Sequence, residues 1–311
     1  MTYSIVARDK VTGEMGVAVQ SHFFSVGSIV TWARAGVGAV ATQAMVDIKY
    51  GPLGLELMSA GKSAPAALTA LLNADPHAES RQVAMVDARG AVGAHTGHKC
   101  LPFAGHAVGD GFSCQGNIMK NANVWGAMKR AFEVGKDEPL AERMVRALEA
   151  AEEAGGDVRG RQSAAILVVS PDLKPNYWEG RSIELRVEDH NAPVPELRRL
   201  LRYQRGYEWE NRGDDFLTAK DYQRALDAYS KASALVPEID ELRFWEGIGL
   251  ISCGQTEKGE KVLGEVIAKD PNWGQVAEGV ASVGSPSFPP DLLARLLETT
   301  QKRSQAAPNR S

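Results

Sequence analysis

The chain changes character once, and that change limits what it can fold into. Up to about residue 187, short β-branched apolar runs alternate with helical stretches. Residues 188–195 (EDHNAPVP) are polar and carry two prolines, and beyond them the pattern is helical alone. In that second part Gly213 and Gly247 stand 34 residues apart, as do Pro237 and Pro271, which is the tetratricopeptide period. Trp209, Phe216, Ala225, Tyr229 and Ala232 complete a first copy; Leu250, Gly259, Leu263 and Val266 mark a degenerate second one. Small residues at Ala225 and Gly259 allow the two helices of a repeat to approach closely. Two copies are fewer than the roughly three that a free-standing array needs, so either helices at 194–210 and 290–300 are expected to cap them or the array is expected to dock on the first domain. The expected division is therefore a first domain over 1–187, a linker over 188–198, a helical domain over 199–302 and a disordered tail over 303–311.

Within the first part, residues 2–8 and 15–20 flank Asp9-Lys10-Val11-Thr12-Gly13 and read as a hairpin. Residues 28–32 and 36–42 form another expected strand pair. Residues 51–60, stopped by Gly61, read as a helix, and Ser63 with Pro65 opens the next. A second hairpin is expected over 81–87 and 91–95, helices over 121–134 and 138–154, a buried strand over 163–170 and an edge strand over 182–187. Strands alternating with helix pairs suggest helices covering stacked sheets, an α+β class.

Composition narrows the function. Lys and Arg number 35 against 39 Asp and Glu, a net charge of −4. That excludes nucleic-acid or anionic-membrane binding by bulk charge. No apolar stretch reaches the ~18 residues of a membrane span. Three cysteines make no disulfide framework, and Arg8, Asp9, Lys10 and Glu14 interrupt any leader, so a cytoplasmic protein is expected.

Thr2 opens the first strand. Removal of Met1 would leave it a free α-amine, with an ordinary pKa of ~7.7–8.0, able to act as base for its own hydroxyl. A turn between Asp9 and Glu14 places Ser21 opposite Thr2, and a slip of one residue would bring Gln20 or His22 there instead.

Several stretches carry a family resemblance: TYSIVARD, GEMGVAVQS, FFSVGSIVTWARAGVGAVATQA, YGPLGLELMSAG, CLPFAGH, QGN and GGDVRGRQSAAILVV. Together they resemble domain-of-unknown-function family 1028, grouped with the N-terminal-nucleophile (Ntn) hydrolases. The resemblance covers roughly residues 2–187. It implies a four-layer αββα Ntn-hydrolase-like sandwich and amide hydrolysis. The C-terminal extension of that family has also been described as peptidoglycan-binding, but the spacing here fits a tetratricopeptide-like all-α domain better. A looser resemblance to proteasome β-subunits implies roles. Thr2 is the nucleophile, and Asp157 orients its amine. The Gln43/Ala44 backbone and Asn117 hold the oxyanion. Ser21, Gln115, Arg159, Gln162 and Ser163 meet the substrate. The lysine that tunes the proteasome nucleophile has no counterpart here, since Arg34 is the one cation between Lys10 and Lys49.

The expected function is hydrolysis of a small amide, with no metal or organic cofactor. The arginines hint at a carboxylate-bearing substrate. The alternative is a catalytically silent scaffold that recruits a protein or peptide partner through its helical repeats. A homodimer is an open possibility. Other motifs carry less. His95, His98 and Cys100 match no strong zinc template, and Cys114 reads as a buried thiol. Ala60-Gly61-Lys62-Ser63 lacks the first glycine of a P-loop, because position 56 is Glu56.

Overall fold

The structure is a computed structural model that describes residues 2–283 and 291–298. The chain divides into two compact units after Leu201.

The first unit holds two antiparallel sheets. The strands β1 (Thr2–Arg8), β2 (Met15–Ser21), β7 (Gly105–Gly109), β8 (Phe112–Asn117), β9 (Ser163–Val169) and β10 (Arg181–Val187) form a six-stranded sheet in the order β10-β9-β2-β1-β8-β7. The second sheet has four strands in the order β3-β4-β5-β6: β3 (Thr31–Arg34), β4 (Gly38–Ala44), β5 (Arg81–Asp87) and β6 (Val92–Thr96). Helices α4 (Val124–Val134) and α5 (Leu140–Glu153) cover one face of the first sheet. Helices α2 (Tyr50–Ser59) and α3 (Ala64–Ala74) cover the outer face of the second.

The two-residue period of a strand explains this layering. Tyr3, Ile5 and Ala7 of β1 pack towards α4 and α5 with Met128, Phe132, Met144 and Leu148. Val6 points the other way, into a layer shared by both sheets with Val17, Val19, Ala39, Ala41, Ala84, Val86 and Leu167. The alanines of β4 and β5 keep that layer thin.

Most elements lie where the pattern predicts, with exceptions. Residues 27–30 form a helical turn, α1 (Gly27–Val30), before β3 begins at Thr31. Strands β7 and β8 have no counterpart among the expected elements: they are short, glycine-bearing and polar, so neither shows an apolar period. The expected linker over 188–198 is partly helix, since α6 (Pro193–Thr218) begins at Pro193. Val194, Leu197 and Leu201 recur at helical spacing and are buried with α5, while Arg198 forks onto Glu149 at 2.9 and 2.8 Å.

The second unit is all-helical among the described residues. It holds the end of α6, then α7 (Tyr222–Leu235), α8 (Asp240–Ser252), α9 (Thr256–Lys269), α10 (Asn272–Ser282) and a helix over 291–298. The starts of α7 and α9 lie 34 residues apart, as do the ends of α6 and α8. Glycine marks the helix crossings: a Cβ on Gly259 would stand 2.6 Å from the Gly247 carbonyl oxygen. The expected tail over 303–311 lies outside the described residues. No helix among them is long and apolar enough to cross a membrane.

Candidate active site

At one end of the two sheets the shared layer turns from apolar to polar. Thr2 and Ser4 continue the face of Val6; Ser21 continues that of Val19; Ser113, Gln115 and Asn117 project from β8 on the same side. From the second sheet Gln43 and Gln82 continue the faces of Ala41 and Ala84 and pair directly in register. All of these are buried. Buried amides and hydroxyls are costly unless bonded, and these bond one another.

Thr2 stands at the centre. Its register partner on β8 is Asn117, and its hydroxyl lies 3.1 Å from the Ser21 hydroxyl. Tyr3 pairs with Gln20, the register that the Asp9–Glu14 turn predicts. The Thr2 carbonyl accepts from Gln43 Nε2 at 3.2 Å and from Asn117 Nδ2 at 3.4 Å. Both amides also donate to Gln82 Oε1, at 2.7 and 2.9 Å. Gln82 Nε2 in turn donates towards the Gly116 carbonyl (2.8 Å), Thr96 Oγ1 (3.0 Å) and the Gly105 carbonyl (3.1 Å). A second chain runs below: Ser113 donates to Gln115, Gln115 to Ser4, and Ser4 to Gln43 Oε1.

Asp157 lies beside this row. Its carboxylate accepts from the His22 backbone N–H at 3.2 Å, one residue beyond Ser21, and from the Arg159 N–H at 2.9 Å. The Arg159 guanidinium closes on it at 3.1 Å. A backbone bridge ties Asp157 to Met119, two residues past Asn117. Arg161 pairs with Glu152 at 3.3 Å. Burial raises the Glu152 carboxyl above its usual range, and burial together with Glu152 raises the Tyr3 hydroxyl.

The expected site residues thus separate into groups. Thr2, Ser21, Gln43 and Asn117 meet directly, and Asp157 joins through His22. Gln43 and Gln115, expected at the substrate, hold their amides inside the buried network. Ser163, expected there too, has a buried hydroxyl that donates to the Phe23 carbonyl at 2.5 Å and accepts from Val26 N–H at 3.1 Å. Gln162 contributes backbone: its N–H donates to the Ser21 carbonyl. Ala44 ends β4 with φ of 70°, a left-handed conformation that is strained for a residue with a Cβ. Arg34 ends β3 opposite Gly38, away from the Thr2 row. Gln82 and Ser4 are absent from the sequence reading, and their signal is positional: each is a polar residue on the inward period of an otherwise apolar strand.

The other singled-out groups lie elsewhere. His95 Nε2 bonds the Ala78 carbonyl at 2.8 Å, His106 Nδ1 bonds Thr96 Oγ1 at 2.8 Å, and Cys100 donates to the Arg81 carbonyl at 3.4 Å. Cys114 is buried towards α4, and that burial raises its thiol pKa. No group of three His, Cys, Asp or Glu among the described residues is placed to hold a metal ion.

A family profile described as "Family of unknown function (DUF1028)" matches residues 2–197. The chain belongs to DUF1028. The crystal structure of protein SPO2555 from Silicibacter pomeroyi, assigned to the same family, is similar at 30% identity with a TM-score of 0.58. That similarity covers 65% of this chain and 88% of the other. No curated protein matches the chain.

Proposed function

We propose that the first unit is an Ntn-type αββα sandwich that hydrolyses a small amide through Thr2. The observation that carries this reading is the polar row at the sheet ends. A strand-opening threonine, buried and hydroxyl-to-hydroxyl with Ser21, is held by its carbonyl between Gln43 and Asn117. A hydrogen-bond hub fixed by Gln82 positions a nucleophile as catalysis requires.

In a chain beginning at Thr2, the hydroxyl oxygen attacks the amide carbon. Its proton passes to the Thr2 α-amine and then to the departing nitrogen as the C–N bond breaks. The resulting ester is opened by water, with the amine again taking a proton, which returns to the hydroxyl. Ser21 orients the attacking oxygen. Asp157 acts on the amine, and the end of β4 with Asn117 stabilises the oxyanion. No step needs a cofactor. Replacing Thr2 by alanine should abolish amide hydrolysis while Thr2→Ser retains part of it; equal rates for wild type and Thr2→Ala refute the assignment.

The helical unit supports a separate reading as a tetratricopeptide-like module for a peptide partner. Trp209, Arg212 and Phe216 line a cavity of about 470 Å³, and the residues 34 positions on, Arg243, Glu246 and Leu250, line another of about 550 Å³. Two repeats presenting the same positions to a groove are what such a solenoid does. A binding scaffold without turnover would leave every amide intact while still retaining a peptide there.

A further inference from the structure

Large apolar side chains are exposed at the same end of the sheets as Thr2. Phe23 and Phe24 follow Ser21, Met45 follows Ala44, Val158 follows Asp157, and Leu101 and Phe103 precede β7. These six are between 50% and 68% exposed. Phe23, Phe103 and Met45 are anchored by their backbones while their side chains stay exposed. The Phe23 carbonyl accepts from Ser163 and the Phe103 carbonyl from Met119 N–H at 3.1 Å. The Met45 carbonyl accepts from Arg81 Nη1 at 2.5 Å. The left-handed Ala44 turns the chain at the end of β4, and Met45 leaves it 68% exposed. Large apolar side chains exposed at one end of the sheets, several on anchored backbone, mark a surface that something apolar covers.

Charge at this end points the same way. Arg81 lies on Asp75 at 2.7 Å, Arg159 on Asp157 at 3.1 Å and Arg161 on Glu152 at 3.3 Å. A substrate carboxylate would have to displace one of these partners and leave a largely buried acid unpaired. Of the arginines that suggest an acidic substrate in the sequence, Arg159 and Arg161 are therefore already neutralised, and Arg34 ends β3 opposite Gly38, away from Thr2.

We infer that the amide cleaved at Thr2 carries an apolar acyl group, seated on the rim formed by Phe23, Phe24, Met45 and their neighbours. This rests on Thr2 as the nucleophile. The acyl chain lies across the rim, while its carbonyl enters the polar row.

The test compares octanoyl, acetyl and succinyl 4-nitroanilides on the full chain, with a Phe24→Ser/Met45→Ser variant beside wild type. Both positions are exposed, so the variant folds. The expected result is a kcat/KM at least about tenfold higher for octanoyl than for acetyl or succinyl, since each buried methylene is worth up to roughly fourfold. In the variant that preference should shrink at least about threefold. A succinyl substrate cleaved as well as octanoyl, or a preference unchanged in the variant, overturns the inference while leaving Thr2 in place. Cleavage of none of the three refutes the nucleophile instead. Calorimetry with octanamide and succinamate on wild type and the rim variant then decides the subsite by itself. Tighter octanamide binding that the variant weakens sustains it, and equal binding or a preference for succinamate overturns it.

Discussion

Replacing Gln82 by leucine removes a side chain that bonds both sheets at the Thr2 end. Its oxygen accepts from Gln43 at 2.7 Å and Asn117 at 2.9 Å, and its nitrogen donates to the Gly116 carbonyl at 2.8 Å. Leucine is close in size, so the cost is in hydrogen bonds and not in volume. The amide nitrogens of Gln43 and Asn117 keep only their longer bonds to the Thr2 carbonyl, at 3.2 and 3.4 Å. Assigning about 1 kcal/mol to each of three groups that lose their better partner gives a destabilisation of about 3 kcal/mol. For a unit of this size that lowers Tm by roughly 6–12 °C. Urea unfolding followed by tryptophan fluorescence and a thermal scan measure both quantities. A loss below about 1 kcal/mol would mean that the network is not what holds the sheet ends, and the reading of Gln82 as a hub would be wrong.

Gln20 should behave in the opposite sense. Its amide is fully buried and neither its oxygen nor its nitrogen has a hydrogen-bond partner among the described residues, so Gln20→Met is expected to stabilise by about 1 kcal/mol in the same urea assay. Asp75 provides an acid-sensitive contact: its hydrogen bond to Arg81, aided by His77 N–H and Tyr50 against the cost of burial, lowers it to about 2. Because the folded pKa lies below the unfolded one, this stabilisation is complete above about pH 4 and fades as pH falls towards 2; wild type should lose its stability advantage over Asp75→Asn across that window. In the helical unit, Gly259→Ala forces a Cβ to 2.6 Å from a backbone oxygen and should cost about 2 kcal/mol, whereas Gly279→Ala, with nothing within 4 Å, should gain about 0.5 kcal/mol in thermal scans.

Much of this architecture is legible in the sequence because burial writes a period. The hairpin of β1 and β2 follows from two apolar runs and an Asp9–Gly13 turn, and its register brings Thr2 to Ser21 as the turn predicts. The helix at α3 announces itself through Ser63, whose hydroxyl caps Ala66 N–H, with a proline in its first turn. Strand β8 escapes because its inward residues, Ser113, Gln115 and Asn117, bond to other polar groups in place of apolar packing. Gln82 escapes for the same reason: its meaning lies in Asn117 and Gln43, 35 and 39 residues away in the chain. Arg161 is visible as a charge, but the acid that neutralises it, Glu152, is fixed only by the fold.

The central claim is that the Thr2 hydroxyl becomes acylated, and intact-mass analysis during turnover of an octanoyl amide reads it directly. The account predicts a species lacking Met1 that gains one octanoyl group, mapped to the Thr2-bearing peptide and lost in Thr2→Ala. Met1 retained on a protein that still hydrolyses the amide, or an acyl group on any other residue, would contradict it.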